Sequence, residues 1–340
     1  MDDIDSMDAV IIGGGHSGCE AASLIAGEGF RTLLITINLD TIALVPGSPL
    51  MDIPKTGLRL DEIADIIRRP IGKMDEKFIV IDKREYFIYM KNQMEGIRNL
   101  WVRQSEVTGI IEREENFIIS TRLGEEYRSR VVVICTGTFL KAMCIYDGYK
   151  TTGGRHGEIA ANDLFSSIKE IGYEFKKGFV SSSHVVKISR ELEKESERLE
   201  IRYHNDQNNS KNNQKFGYKH KTGEGYSVLL VPLGICTDEY YVSSMPSENI
   251  RVDVFNDCIM KLIERDFIIP IRKPYKVTYN ILKKEFFKNN NQESLIHSGM
   301  FFAGAVTGST GIIQSIMSGI TAGRSAVDYL KGNINRVRNK

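Results

Sequence analysis

Gly13, Gly15 and Gly18 form a G-x-G-x-x-G run, the spacing that lets a main chain close around a diphosphate. One glycine permits the tight turn, a second lets the backbone approach the phosphates, and the third lets the following helix pack against the preceding strand. The helix N-terminus adds N–H donors and partial positive charge. With Gly14, His16 and Ser17 in the same bend, residues 13–18 are the first candidate binding loop.

Such a loop works only between a strand and a helix. Asp8 to Ile12 (DAVII) reads as a buried strand, Cys19 to Gly29 as a helix and Thr32 to Thr36 (TLLIT) as a second buried strand, a βαβ opening. The dinucleotide pattern expects an acid about 20 positions on, at the end of that second strand. Thr36 stands there, with Asn38 and Asp40 as the nearest polar side chains. Two more apolar strands run into glycine: Val131 to Gly137 (VVVICTG) and Met300 to Gly311 (MFFAGAVTGSTG), the latter feeding a long helix from Ile312 to Leu330. Three such strand ends suit an extended FAD better than a nicotinamide cofactor alone, because a second helix N-terminus can stabilise negative charge on a reduced flavin ring. Thr136, Gly137, Gly304, Ala305 and Gly311 therefore join the candidate cofactor contacts.

Further along, helical spacing occurs at Leu60 to Arg68, Lys83 to Arg98, Glu158 to Ile171 and Arg251 to Ile263. Strand-like runs at Leu100 to Gln104, Phe117 to Thr121 and Tyr127 to Ile134 suggest a meander laid between the parallel strands, and Val228 to Val231 and Tyr240 to Ser243 are later strand candidates. Ser189 to Glu200 (SRELEKESERLE) reads as a charged solvent-facing helix, and Tyr203 to Lys221 as an Asn-rich mobile loop. Its lysines with Tyr203, Phe216 and Tyr218 could also contact RNA, though a biased surface loop is the plainer reading.

Lysine and arginine total 45 against 44 acids, so no whole-chain field marks a nucleic-acid or membrane binder. Hydrophobic residues at 41% are enough for a real core and exclude global disorder. Five cysteines, an odd number without a C-x-x-C pair, fit reduced thiols and no metal site. A soluble, unprocessed, cytoplasmic protein is expected, since residues 1–8 are acidic and no apolar stretch reaches the length of a membrane span. Cys135 and Cys258 read as core and Cys19 as structural, which leaves Cys144 and Cys236 without an evident base beside them. His16 reads as filling the turn.

Val10 to Glu20 (VIIGGGHSGCE), Thr32 to Ile42, Val133 to Leu140 (VICTGTFL), Gly153 to Gly157 (GGRHG) and Phe301 to Gly311 (FFAGAVTGSTG) together resemble the GidA/MnmG flavoproteins, the tRNA uridine 5-carboxymethylaminomethyl modification enzymes. The resemblance implies an α/β chain: a glutathione-reductase-like, Rossmann-type FAD-binding domain, 1–160 plus 295–332, with a smaller α+β domain inserted at 161–294 that carries the Asn-rich loop at 203–221. It also implies FAD contacts at Gly13, Gly14, Gly15, Gly18, Val107, Thr152 and the Gly304 turn. The family's Thr-x-Asn in place of a ribose acid is matched by Thr36 and Asn38.

The sequence departs from that family where thiol chemistry is expected. Val45 to Pro49 (VPGSP) puts Gly47 in the place of a catalytic cysteine, the segment replacing the nicotinamide insertion contains no cysteine, and Ala305 replaces a glutamine. The family's C-terminal helical region, which recruits tRNA and a GTPase partner, has no counterpart before the chain ends. Catalytic candidates are then Arg155, His156 and Cys144, with Asp52, Lys55 and Arg59 as candidates for the substrate side of the flavin. The leading expectation is an FAD-dependent oxidoreductase of tRNA uridine modification, with NADH or NADPH as candidate donor. Expected partners are tRNA or another RNA, a protein replacing the absent region, and a second copy in a homodimer. The alternatives are an FAD-binding subunit or redox sensor working through a partner, and a flavoenzyme acting on a small metabolite.

Overall fold

The computed structural model describes residues 5–47, 49–52, 71–73, 78–182, 185–203, 215–221, 227–232, 239–244, 259–265, 268–272 and 274–338. The chain divides into two compact units. The first comprises Met1–Leu44, Met90–Val180 and Lys276–Lys340, and the second Val45–Tyr89 and Ser181–Tyr275.

The first unit is a Rossmann-type α/β layer. Its strands, numbered within the unit, are β1 (Asp5–Ile12), β2 (Thr32–Thr36), β3 (Leu100–Gln104), β4 (Val107–Arg113), β5 (Asn116–Thr121), β6 (Glu126–Ile134), β7 (Met143–Tyr146), β8 (Tyr149–Thr152), β9 (Phe175–Ser181), β10 (Lys276–Leu282) and β11 (Met300–Phe302). Its helices include α1 (His16–Gly27), α2 (Asn162–Glu170) and α3 (Ile312–Arg338), and the expected helix from Lys83 is observed over Lys83–Gly96, its residues from Met90 on belonging to this unit. The main sheet runs β3-β2-β1-β6-β5-β4, with β11 pairing β6. β1 lies parallel between β2 and β6, and β3 is parallel to β2. Ala9, Val10 and Ile11 are fully buried, as the unbroken apolar run of a strand covered on both faces demands. The antiparallel β4-β5-β6 meander does not sit between parallel strands in space. The first half of β6 pairs β5 and its second half pairs β11 in parallel, so one strand serves both patterns.

Small residues set the spacing of the helices. A Cβ on Gly319 of α3 would lie 2.3 Å from the Ser17 carbonyl oxygen, and one on Gly323 would lie 3.0 Å from the Cα of Ala21. α1 and α3 thus meet backbone to backbone, which only glycine allows at these positions.

A smaller sheet, β8-β7-β10-β9, belongs to the same unit. Here the expected boundaries at 160 and 294 differ from the observed ones. Leu164, Phe165 and Ile168 of α2 are buried in the core of the first unit, and the Ser167 hydroxyl bonds the backbone of Ile110 in both directions at 2.9 and 3.1 Å. β10 pairs β7 in register, Thr278 opposite Met143. These contacts hold residues 161–180 and 276–294 in the first unit, while residues 45–89 fall in the second. α2 also starts later than the helical spacing suggests, at Asn162, because Leu140 and Ala161 form a parallel bridge that keeps the preceding residues extended.

The second unit carries a nine-stranded sheet in the order Ile268–Arg272, Val185–Ile188, Glu239–Ser244, Ser227–Pro232, Lys215–Lys221, Glu197–Tyr203, Ile71–Lys73, Phe78–Ile81, Leu50–Asp52. Two segments differ from the sequence reading. The charged run is helical only over Arg190–Glu195, where the Ser189 hydroxyl caps by accepting from the Leu192 N–H, and continues as the strand Glu197–Tyr203. Lys215–Lys221, expected as loop, is a strand paired on both sides. Its sequence alternates Lys, Phe, Gly, Tyr, Lys, His and Lys, a period-two pattern that the Asn-rich composition around it conceals. Expectations at Leu60 to Arg68, at residues 204–214 and at the start of Arg251 to Ile263 lie outside the described residues; 259–264 are helical. No described helix is long and apolar enough to cross a membrane.

Candidate functional site

One cleft collects the carboxyl ends of the parallel strands β1, β2, β3 and β6 through Gly13 to Gly15, Thr36 and Ile37, Ser105, and Cys135 to Gly137. β1 leads to β2 on one side of itself and pairs β6 on the other, so the cleft lies where the strand order reverses. That is the place at which open parallel sheets take their ligands. Ile12, Ile35 and Val107 give it an apolar floor, and Phe139, Arg155, Glu158 and Leu164 form part of its wall.

The glycines divide their work as the motif requires. Gly13 has φ +111°, and a Cβ there would lie 2.3 Å from the Cys135 carbonyl oxygen. A Cβ on Gly14 would press on the Thr36 side chain at 3.0 Å, and the Gly14 carbonyl accepts the Ala43 N–H at 2.8 Å. Gly18 lets α1 approach the turn. Gly15 is exposed with none of the described residues within 4 Å of the Cβ position, so its main chain is open to a ligand. Among the described residues no side chain caps α1 at Gly15, which leaves the positive end of the helix facing the cleft.

Two buried hydroxyls in the lining, Ser105 Oγ and Thr136 Oγ1, have no hydrogen-bond partner among the described residues. Such groups are costly unless something else satisfies them. Glu106 at the cleft is held by Arg122 at 2.8 Å, and Arg122 also bonds Asp163 at 2.7 Å. Those two bonds, Glu106 first, hold the Arg122 guanidinium above its ordinary range.

Among the sequence candidates, Gly13, Gly14, Gly15, Thr36, Val107, Thr136, Gly137 and Arg155 come together in this cleft. Others do not line it. The Asn38 carboxamide accepts the Asp40 N–H at 2.9 Å and so caps a short 3-10 turn. Thr152 is exposed on β8, and His156 is exposed with its ring 6.1 Å from that of Tyr146. Gly304 has φ +81° and donates its N–H to Ser318 Oγ, while the neighbouring Ser17 hydroxyl donates to the Ala303 carbonyl. The Gly304 turn is thereby stitched to α1, but Gly304, Ala305 and Gly311, like His16, Ser17 and Gly18, are not in the cleft wall. Arg155 makes a two-pronged pair with Glu158, at 2.8 and 2.7 Å, over the Phe139 ring.

The thiols are quiet. Cys19, Cys135 and Cys144 are buried and form no disulfide. Burial pushes the Cys135 thiol up to about 12 and raises that of Cys144, whose Sγ donates to the Gly153 carbonyl. Cys236 and Cys258 lie outside the described residues, as do Lys55 and Arg59, and no metal-holding cluster exists among the described residues. The sequence reading missed Ser105, Phe139 and Glu158. For Glu158 the signal is its i,i+3 spacing from Arg155, while for Ser105 it is only the position just past β3.

The chain is 27% identical over 401 residues to the tRNA uridine 5-carboxymethylaminomethyl modification enzyme MnmG of Lachnoclostridium phytofermentans, covering 96% of this chain and 63% of that protein. It is 35% identical over 191 residues to MnmG of Synechocystis, covering 50% and 30%. The chain therefore spans less than two thirds of the length of these relatives. The solved structure of Aquifex aeolicus GidA superposes with a TM-score of 0.79 at 22% identity, covering 98% of this chain and 64% of that one. The family model described as glucose inhibited division protein A matches residues 8–227 and 221–333, nearly the whole sequence, and the chain belongs to that family.

Proposed function

We propose that this chain binds FAD non-covalently in the cleft and works as an FAD-dependent oxidoreductase in the modification of uridine in tRNA. The observation that carries the reading is the meeting, at the ends of parallel strands, of an open Gly15 backbone with a helix N-terminus and a buried Thr136 hydroxyl that have no side-chain partner among the described residues. These residues fit the cofactor. Gly13 to Gly15 with the start of α1 would hold the diphosphate, and the floor of Ile35 and Val107 suits a flat aromatic base. Bound there, the flavin would supply hydride acceptance and donation. The RNA substrate is supported by the MnmG relatives that match 96% of the chain.

Anaerobic titration of the purified protein with NADH and NADPH, with and without bulk tRNA, tests the reading. Rapid bleaching of a bound flavin and a changed modified-nucleoside profile in cells lacking the protein are expected. A colourless protein that takes up no added FAD, with an unchanged profile, would remove it.

The thiols favour a second reading, an FAD-binding subunit or redox sensor acting through a partner. Gly47 stands where the family cysteine is expected, and the described cysteines are buried. A stable hetero-complex, with no NAD(P)H oxidation by the chain alone, would select this reading.

A further inference from the structure

We propose that Ser105 is a nucleotide-contacting residue whose hydroxyl bonds the adenosine ribose, taking over the work of the carboxylate that the second strand lacks. The inference rests on the reading of the cleft as an FAD site. Its starting point is position. Thr36 ends β2 where an acid would stand, and the Ser105 N–H donates to the Thr36 carbonyl at 2.9 Å, so Ser105 lies beside that strand end on the neighbouring chain segment. Ser105 is a residue of the cleft lining and 7% exposed, and its Oγ is buried with no partner among the described residues. Of the other polar side chains near that strand end, Asn38 caps its own turn and Glu106 is held through both carboxylate oxygens by Arg122. A buried hydroxyl without a partner is a cost in the ligand-free protein that a ribose hydroxyl would remove.

This sets the apo protein and the complex against each other. Ser105→Ala removes a group that bonds nothing among the described residues, so the melting temperature without ligand is expected to hold or rise. The same change removes a ligand hydrogen bond, so FAD affinity is expected to fall about fivefold to tenfold. ADP and 2′-deoxy-ADP, displacing FAD by flavin fluorescence, serve as probes of the ribose. The wild type should prefer ADP over the deoxy form by a similar factor, Ser105→Ala should lose most of that preference, and Ser105→Thr should retain it. Unchanged FAD affinity in Ser105→Ala, or an equal loss for both probes together with a lower apo melting temperature, overturns the inference and leaves the FAD site standing. Failure of the wild type to bind FAD or ADP overturns both.

Discussion

A Cβ on Gly18 would lie 1.8 Å from the carbonyl oxygen of Gly13. The obstacle is backbone and cannot rotate away, so Gly18→Ala must lift α1 off the turn that it closes. Overpacking of this kind costs about 1 to 3 kcal/mol or more. Gly15→Ala is the contrasting case, because φ there is −74° and none of the described residues stands within 4 Å. Gly18→Ala should lower both melting temperature and flavin retention. Gly15→Ala should leave the apo melting temperature within about 2 °C yet weaken FAD binding, since the new methyl projects into the open space where a ligand would approach. Equal melting-temperature losses for the two would mean that Gly15 is a fold residue.

The contact between α1 and α3 makes a graded prediction. Gly319→Ala meets the Ser17 backbone at 2.3 Å, whereas Gly323→Ala meets Ala21 at 3.0 Å, a contact that a shift of a few tenths of an ångström relieves. Gly319→Ala should be the more destabilising in urea unfolding. Gly332→Ala, on the same helix with open space around it, should stabilise by about 0.5 to 1 kcal/mol through helix propensity alone. A helix indifferent to all three would contradict the close packing.

The glycine turn could be read from sequence because backbone chemistry leaves no other residue a choice at Gly13 and Gly18. Ser105 could not, because a single hydroxyl after a short strand has no local signature. Its importance arises when β3 pairs β2 and sets it beside Thr36, 69 positions away in the chain. Arg155 was legible as a polar residue after two glycines, but its pairing with Glu158 decides what it does. Asn38 was legible as a polar residue at the right distance from the turn, yet its carboxamide serves its own turn. The unit boundaries were hidden for a similar reason: Ser167 bonds Ile110 and β10 pairs β7 across long stretches of chain. In Lys215–Lys221 the strand alternation was present but was outweighed by the composition around it.

Buried acids of the thiol and phenol kind predict an alkaline limit. Burial pushes Cys135 up to about 12 and raises Cys144, Tyr173 and Tyr279. A group whose folded pKa exceeds its unfolded value contributes fully below the unfolded value and loses that contribution as pH rises toward the folded one. For Cys135 the window opens near pH ~9 and closes near 12, and the two tyrosines add to the fall above pH ~10. Urea midpoints should therefore drop between pH 8 and 11, less steeply in Cys135→Ala. The native thiols should also react with a disulfide reagent at pH 8 no faster than global opening allows at Cys135. A pH-independent midpoint would show that these groups are not buried.

Arg155 and Glu158 are 17% and 18% exposed in their side chains and joined by two hydrogen bonds, so each neutralises the other in the cleft wall. Removing one partner leaves a partly buried charge uncompensated, which costs more than removing both. Arg155→Met and Glu158→Gln should each destabilise, and the double variant should recover part of the loss, with a coupling of about 1 to 2 kcal/mol. Arg155→Lys should behave more like Arg155→Met than a conserved charge suggests, because a point ammonium cannot make the two-pronged bond. If Arg155 instead contacts substrate, Arg155→Lys would keep stability and lose turnover. A double-mutant cycle by chemical unfolding, set beside flavin reduction rates, separates the two, and the geometry of the pair favours the wall-building role.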